Sequence, residues 1–343
     1  MRYLISLALL MALPLHPLLA QYAGAPGGFT RLGFSARGMA MGNVLSSISE
    51  EGIYTYYNPA LAAEAHHTDV DLQSALMSFD RQLNVVGASF KLPPYAGIAF
   101  GILNANVRNI DGRTSSGYHT EMLSTHDYQL FSSFGIKPSS GFRMGATVKF
   151  NVADYHDQVK PSTSVGMDLG MVFRADQALR FSLTVRDLLA TTRWNTGELY
   201  RNAGTTNVTE SWPRRVNLGA SYRVNPEWIL GSELEAMIYS SQVTEREVSL
   251  DFGYPITFER QKTLTNTTYV FRAGTRYHLH ERFTLRMGYQ NENLENPSDV
   301  QRISGGFSIH LPYDPLSPSI DYAIIREPFG VSYMHAFAIR ISL

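Results

Sequence analysis

The sequence predicts an all-β protein: a transmembrane antiparallel β-barrel of about fourteen strands, with an N-terminal hatch, or plug, folded inside its lumen. Three observations lead there. Polar and apolar residues alternate strictly over segments of about ten to thirteen residues. Connections between those segments are short at one end and long at the other. A compact, aperiodic stretch of small residues precedes the first strand.

Alternation is cleanest in the middle of the chain. Over 142–152, Phe142, Met144, Ala146, Val148, Phe150 and Val152 alternate with Arg143, Gly145, Thr147, Lys149 and Asn151. The same period of two runs through 179–186, 215–224 and 283–290, giving each strand one apolar and one polar face. A soluble sheet turns its apolar face to a core, whereas a membrane barrel turns it to lipid. Length separates the two, because membrane strands need roughly nine to eleven residues and soluble strands average about five or six.

In chain order, the predicted strands are 68–79, 82–92, 95–104, 127–137, 142–153, 164–174, 178–187, 214–224, 227–239, 268–279, 282–291, 302–311, 318–326 and 331–343. One further segment, 247–254, also alternates. Counting it as wall would mix short and long connections at both ends, against the pattern of bacterial barrels. It is therefore assigned, as 246–256, to a large outer loop 240–267, where it forms part of a hairpin. The remaining long connections are 105–126, 154–163, 188–213 and 292–301. The last strand reaches Leu343 in register, which suits insertion by the barrel assembly machinery, although that machinery usually meets a terminal aromatic.

Composition narrows the function. The chain of 343 residues has a formal charge of -1, 17% charged residues and no cysteine. Neutral charge offers no nucleic-acid footprint, and the lack of cysteine excludes disulfides and thiolate metal sites. Residues 1–20 read as a secretory signal peptide: Arg2, then a short apolar run, then Ala20 before the cut. Export followed by a barrel fold gives an expected location in the bacterial outer membrane.

Residues 21–66 are the expected hatch, and 67–343 the barrel. Phe29, Phe34, Met39, Met41 and Ile53 are too apolar for a free tail. Gly38 and Gly42 permit close packing, and Pro59 turns the chain at Asn58 before the barrel begins. The stretch "GFTRLGFSARGMAMGNV…YYNPALAA" resembles the N-terminus of the PorV/PorQ family of outer-membrane proteins, which is similar to the FadL long-chain fatty acid transporters. The residues that carry it are Ala36, Arg37, Gly38, Met41 and Gly42, then Asn58, Pro59 and Ala60. Leu61 departs from the pattern where a glycine often stands, as does the Glu50-Glu51 pair where two aspartates are common.

The resemblance implies a hatch-bearing fourteen-strand barrel that binds or passively transports hydrophobic or amphipathic small molecules. Its implied alternative is an accessory barrel of the type IX secretion system that binds or shuttles exported cargo proteins. From the same resemblance, a kinked third strand would form a lateral gate, with Gly97 and Gly101 as its candidates. Arg31 and Arg37 are candidates to pair with inward carboxylates such as Asp69, Asp71, Asp168, Glu233, Glu235 or Asp321, or to meet a ligand carboxylate. The partners expected are thus membrane lipid and either a small molecule or secretion proteins.

No enzyme motif, cofactor or metal site is expected. His278 and His280 share a strand face but have no third ligand fixed nearby. The tryptophans Trp194, Trp212 and Trp228 read as interface belts or outer-loop residues.

Overall fold

In the computed structural model, the described residues are 26–49, 53–195, 207–251, 254–291, 301–313, 316–327 and 332–343. The expected signal peptide, Glu50-Glu51 and most of the connection 292–301 lie outside them. Among the described residues, sixteen strands follow a short plug segment. They are β1 (Asp69–Met77), β2 (Arg81–Leu92), β3 (Ala96–Arg113), β4 (His119–Ser139), β5 (Phe142–Asp154), β6 (Ser162–Arg174), β7 (Leu179–Leu188), β8 (Thr191–Asn195), β9 (Asn207–Ser211), β10 (Arg214–Arg223), β11 (Trp228–Asp251), β12 (Tyr254–His280), β13 (Phe283–Asn291), β14 (Gln301–His310), β15 (Ser319–Arg326) and β16 (Tyr333–Ser342).

Fourteen of these close into an antiparallel barrel in sequence order, with β1 pairing β16. Strands β8 and β9 stand apart as a two-stranded hairpin, so β7 pairs directly with β10. All fourteen predicted wall strands are present. The segment 246–256 is no extra wall strand: β11 and β12 continue past the barrel as one hairpin, paired from Trp228↔Tyr277 to Asp251↔Tyr254. The long connection expected at 105–126 is likewise paired for much of its length, because β3 and β4 run on to Arg113↔His119.

The wall is inverted relative to a soluble protein. On β5, Arg143, Thr147, Lys149 and Asn151 are buried, while Met144, Val148 and Phe150 are exposed. Leu72, Val86, Phe100, Ile102, Leu218, Met287, Ile303, Phe337 and Ile339 extend that exposed apolar face around the barrel. In water such a surface would cost roughly 25 cal/mol for each Å² of apolar area left wet; hydrocarbon removes the cost. Exposed aromatic residues sit near both ends, among them Tyr95, Phe173, Tyr222 and Trp228 at the short-turn end and Phe79, Tyr128 and Tyr333 at the long-hairpin end. That is the girdle expected of a membrane barrel. No helix among the described residues is long and apolar enough to cross a bilayer; here the strands do so.

Among its described residues, the plug has one short helix, α1 (Ala36–Ala40), and three 3-10 turns at Gly28–Arg31, Tyr54–Tyr56 and Pro59–Glu64. Ser35 caps α1 by accepting from the Gly38 amide. Gly42 ends that turn at φ 66, a left-handed conformation that favours glycine. Asn58 is extended at φ −152, its side chain accepts from the Ala60 amide, and Pro59 opens the next turn. These are the preferences that make Asn a cap and Pro a first helical residue. The aperiodic sequence therefore folds as a string of capped turns and not as wall.

Candidate functional site

Wall strands bring inward-facing glycines to the positions where the plug backbone lies. Gly97, Gly135, Gly145 and Gly170 are successive register partners across β3, β4, β5 and β6. A Cβ on Gly135 or Gly145 would stand 2.7 or 2.5 Å from the Pro59 carbonyl group. Gly97 faces the Ala62 carbonyl and Gly170 the Asn58 side chain just as closely. Gly231, Gly274 and Gly288 form a second register row across β11, β12 and β13, against Met41, Gly42 and Val44. Two tracks in the wall thus receive the two halves of the plug.

Charged side chains lock those halves in place. Arg37 donates through Nε to Asp321 at 2.9 Å and also bonds Ser319. Ser46 donates its amide to Glu233 at 2.7 Å. Asn58 donates to the carbonyls of Ser46 (2.7 Å) and Met171 (3.2 Å), tying the two plug halves to each other and to the wall. Glu64 receives Arg143 at 2.6 Å, Arg180 at 2.9 Å and Arg174 at 3.5 Å. Burial acts to raise the Glu64 pKa, but Arg180, Ser49, Arg143 and Arg174 together hold it below the ordinary value. Burial also pushes the plug phenols Tyr54 and Tyr57 up.

Further charges pair within the wall: Lys149 with Asp168 (2.6 Å) and Asp187 (3.1 Å), Arg215 with Asp187 (2.6 Å), Arg272 with Glu235 (3.0 Å) and Arg340 with Asp69 (2.7 Å). The Lys149 ammonium lies 5.3 Å from the centre of the Tyr56 ring, a cation–π contact between wall and plug.

Of the residues singled out from sequence, Arg37, Gly38, Gly42, Asn58 and Pro59 converge inside the barrel as plug-building and plug-anchoring groups. Arg37 meets one of the six named carboxylates. Arg31 ends the first 3-10 turn and is half-buried. Gly97 and Gly101 do not mark a break: β3 stays in register with both neighbours through them. Its first irregularity lies farther along, between Val107 and Ile110, where Asn109 has φ 55. Gly97 instead packs on Ala62, and Gly101 on the Phe131 ring. His278 bonds Thr284, and His280 accepts from the Arg282 amide. Among the described residues no cluster of metal-ligating side chains forms.

Sequence reasoning missed the cavity at the long-hairpin end. The β8–β9 hairpin is held toward the lumen because the Thr191 and Arg193 amides donate to the inward hydroxyls of Ser164 (3.0 Å) and Ser162 (3.1 Å). Trp212 follows the hairpin, donates to Thr192 at 2.8 Å, and meets Phe29 of the plug edge-to-face at 6.2 Å. Between the hairpin, the plug, Asp127 of β4 and the end of β5 opens a cavity of about 450 Å³. Its lining includes Phe29, Asp127, Tyr155, Trp194, Glu210 and Trp212. A clue was present in the sequence: Thr192 and Trp194, like Glu210 and Trp212, lie two apart and so share a face of an alternating segment. At the short-turn end the space beside Ser47 and Arg180 is only about 20 Å³, room for a water.

A closed lipid-facing barrel, filled by its own N-terminal segment and open to a cavity at one mouth, can be set beside barrels of known structure. The structure is similar to the Pseudomonas putida toluene transporter TodX, with a TM-score of 0.60 at 14% identity, over 90% of this chain and 96% of that one. It is similar to the CymD monoaromatic hydrocarbon channel, with a TM-score of 0.61 at 11% identity, over 91% and 97%. A Pseudomonas aeruginosa FadL homologue gives 0.60 at 12%, over 90% and 98%. At these identities the TM-scores show a shared fold and nothing more. A family model described as "F plasmid transfer operon, TraF, protein" matches residues 133–300, a little under half of the chain. No curated protein matches the sequence.

Proposed function

We propose that this protein is a bacterial outer-membrane barrel that binds hydrophobic or amphipathic small molecules at its outer mouth and lets them pass the plug passively. The observation that carries the reading is the cavity of about 450 Å³ where the plug meets the mouth, walled by Phe29, Tyr155, Trp194 and Trp212. A pocket of that volume is the size of ordinary small-molecule sites. It lies directly over the plug, so displacing Phe29 is the first step inward. The described toluene and monoaromatic transport of the similarly folded barrels supports the same substrate class. In this orientation the long hairpins face outward and the short turns the periplasm, and residues 1–20 serve as the export signal. A lateral exit at Gly97 and Gly101 requires Ala62 and the Phe131 ring to withdraw, since both occupy those sites in the closed state.

Uptake into proteoliposomes tests the proposal. Purified protein should accelerate entry of radiolabelled toluene or a short-chain fatty alcohol over empty vesicles. Equal rates for both compounds with and without protein, together with unchanged uptake in a deletion strain, would overturn it.

One observation favours a second reading, the secretion-system accessory barrel of the PorV type. β11 and β12 stay paired for about a dozen residues beyond the wall, which at about 3.3 Å per residue is roughly 40 Å of ribbon. A paired ribbon of that reach suits docking to another protein. Crosslinking at the ribbon in cells, followed by mass spectrometry, should recover secretion or cargo proteins under this reading, and neither under the first.

A further inference from the structure

The mouth cavity differs from the rest of the lumen in its charge. Deep in the barrel each anchoring carboxylate has a cation: Asp187 has Arg215 and Lys149, Glu235 has Arg272, and Asp321 has Arg37. Among the described residues, the cavity lining holds two carboxylates, Asp127 and Glu210, and neither Lys nor Arg. Four aromatic rings come to it from four separate segments: Phe29 from the plug, Tyr155 after β5, Trp194 from β8 and Trp212 after β9. Tyr155 and Trp194 lean together with centroids 4.9 Å apart and planes at 32°, and Phe29 meets Trp212 at 86°. Tyr155 donates its hydroxyl to Asp127, 3.0 and 3.2 Å from the two oxygens, which orients that carboxylate. One phenol proton leaves most of the acceptor capacity of a carboxylate unused.

We infer that this cavity is a binding site for an organic cation, an amphiphile whose ammonium or equivalent head sits among the rings and beside Asp127 and Glu210. The face of an aromatic ring is negative and attracts a cation within about 6 Å, most strongly for tryptophan. Carboxylates add the counter-charge. An uncharged hydrocarbon gains the same apolar contact with the rings but leaves the two carboxylates without a counter-charge, so it binds there more weakly than the cation, and an anion would meet like charge. The inference rests on the proposed function for the orientation of the mouth, and narrows the ligand class bound there.

Fluorescence reads the site directly. The chain has three tryptophans; two line the cavity, and Trp228 lies at the far end, bonded to Thr275. A Trp228→Phe protein in detergent micelles therefore reports the cavity alone. Benzyltrimethylammonium should quench it with a Kd at least about tenfold below that of neopentylbenzene, its uncharged isostere, and phenylacetate should bind most weakly. Glu210→Gln, and Glu210→Gln with Asp127→Asn, should erase the preference while the barrel keeps its heat-modifiable migration in gels. A neutral probe that binds as tightly as the cation, or a preference that survives the double substitution, overturns the inference. If the neutral probe binds and crosses proteoliposomes without any preference for charge, the cation site falls and the transport reading stands. If no probe binds and none crosses, both fall.

Discussion

Arg37 shows what a single side chain does in a lumen of this kind. It is buried, it comes from the plug, and its guanidinium reaches both Asp321 and Ser319 on β15. Arginine suits the position because its fork donates in two directions and stays charged. Replacing it by Met leaves Asp321 buried without its guanidinium partner, with the Ser308 hydroxyl still donating to it, and breaking a buried pair on one side costs about 3 kcal/mol or more. The expected result for Arg37→Met is a barrel that still forms but whose plug is cleaved faster in limited proteolysis. Adding Asp321→Leu should restore most of the protection, since removing both partners also removes the unpaired charge. Protection unchanged in the single variant would show that the pair does not hold the plug. The sequence named this arginine and this carboxylate, but as one choice among six acids. Alternation says which residues face inward; it does not say at what height along the strand a plug residue will meet them.

Among the elements, the wall was legible and the protrusions only partly so. A period of two survives in each wall strand because lipid outside and a polar lumen inside impose opposite demands on neighbouring residues. Beyond the membrane that pressure ends, so the outer parts of β3 and β4, between 105 and 126, lack the strict alternation that marks the wall strands, and the β8–β9 hairpin is too short to stand out. Placing 246–256 outside the wall followed from the parity of connections, an argument about the whole set of strands. The Pro59–Glu64 turn makes a prediction at this scale. Its Glu64 is held by Arg143, Arg180 and Arg174 and has a pKa below the ordinary value of 4.5. A carboxylate with a depressed folded pKa contributes stability that is complete above its unfolded value and disappears as the pH falls through the folded one. The tether should therefore hold from neutral pH down to about 4.5 and loosen only below it. Hydrogen exchange of the 59–65 amides, followed from pH 7 to pH 3 and corrected for intrinsic rates, should show protection lost in that acid window. Glu64→Gln should lack the acid-dependent step, having lost the tether at every pH. A step that persists in the Gln variant assigns it to another group.

For the whole molecule, the arrangement of anchors decides how a filled barrel can also be a conduit. The wall carries its own hydrogen-bond ladder and closes through β1 and β16 without the plug. The polar ties that fix the plug include Arg37 to Asp321, Ser46 to Glu233 and Ser182, Ser304 to the Ala40 carbonyl, Asn58 to Met171, and Glu64 to three arginines. Wall and plug are thus separable in stability, with local opening of the plug costing less than opening the barrel. Loosening both halves at once, by Arg37→Met with Glu64→Gln, should leave a heat-modifiable barrel whose plug spends more time displaced. In planar bilayers the unaltered protein is expected to hold a steady baseline, because plug and wall pack directly along both glycine tracks. The double variant should show brief stepwise openings, more frequent than in either single variant, because each tie alone retains its half of the plug. A disulfide engineered between the plug and β15 should silence these openings when oxidised and release them on reduction. Openings that are as frequent in the unaltered protein, or that ignore the disulfide, would place the conducting path elsewhere than through the plug.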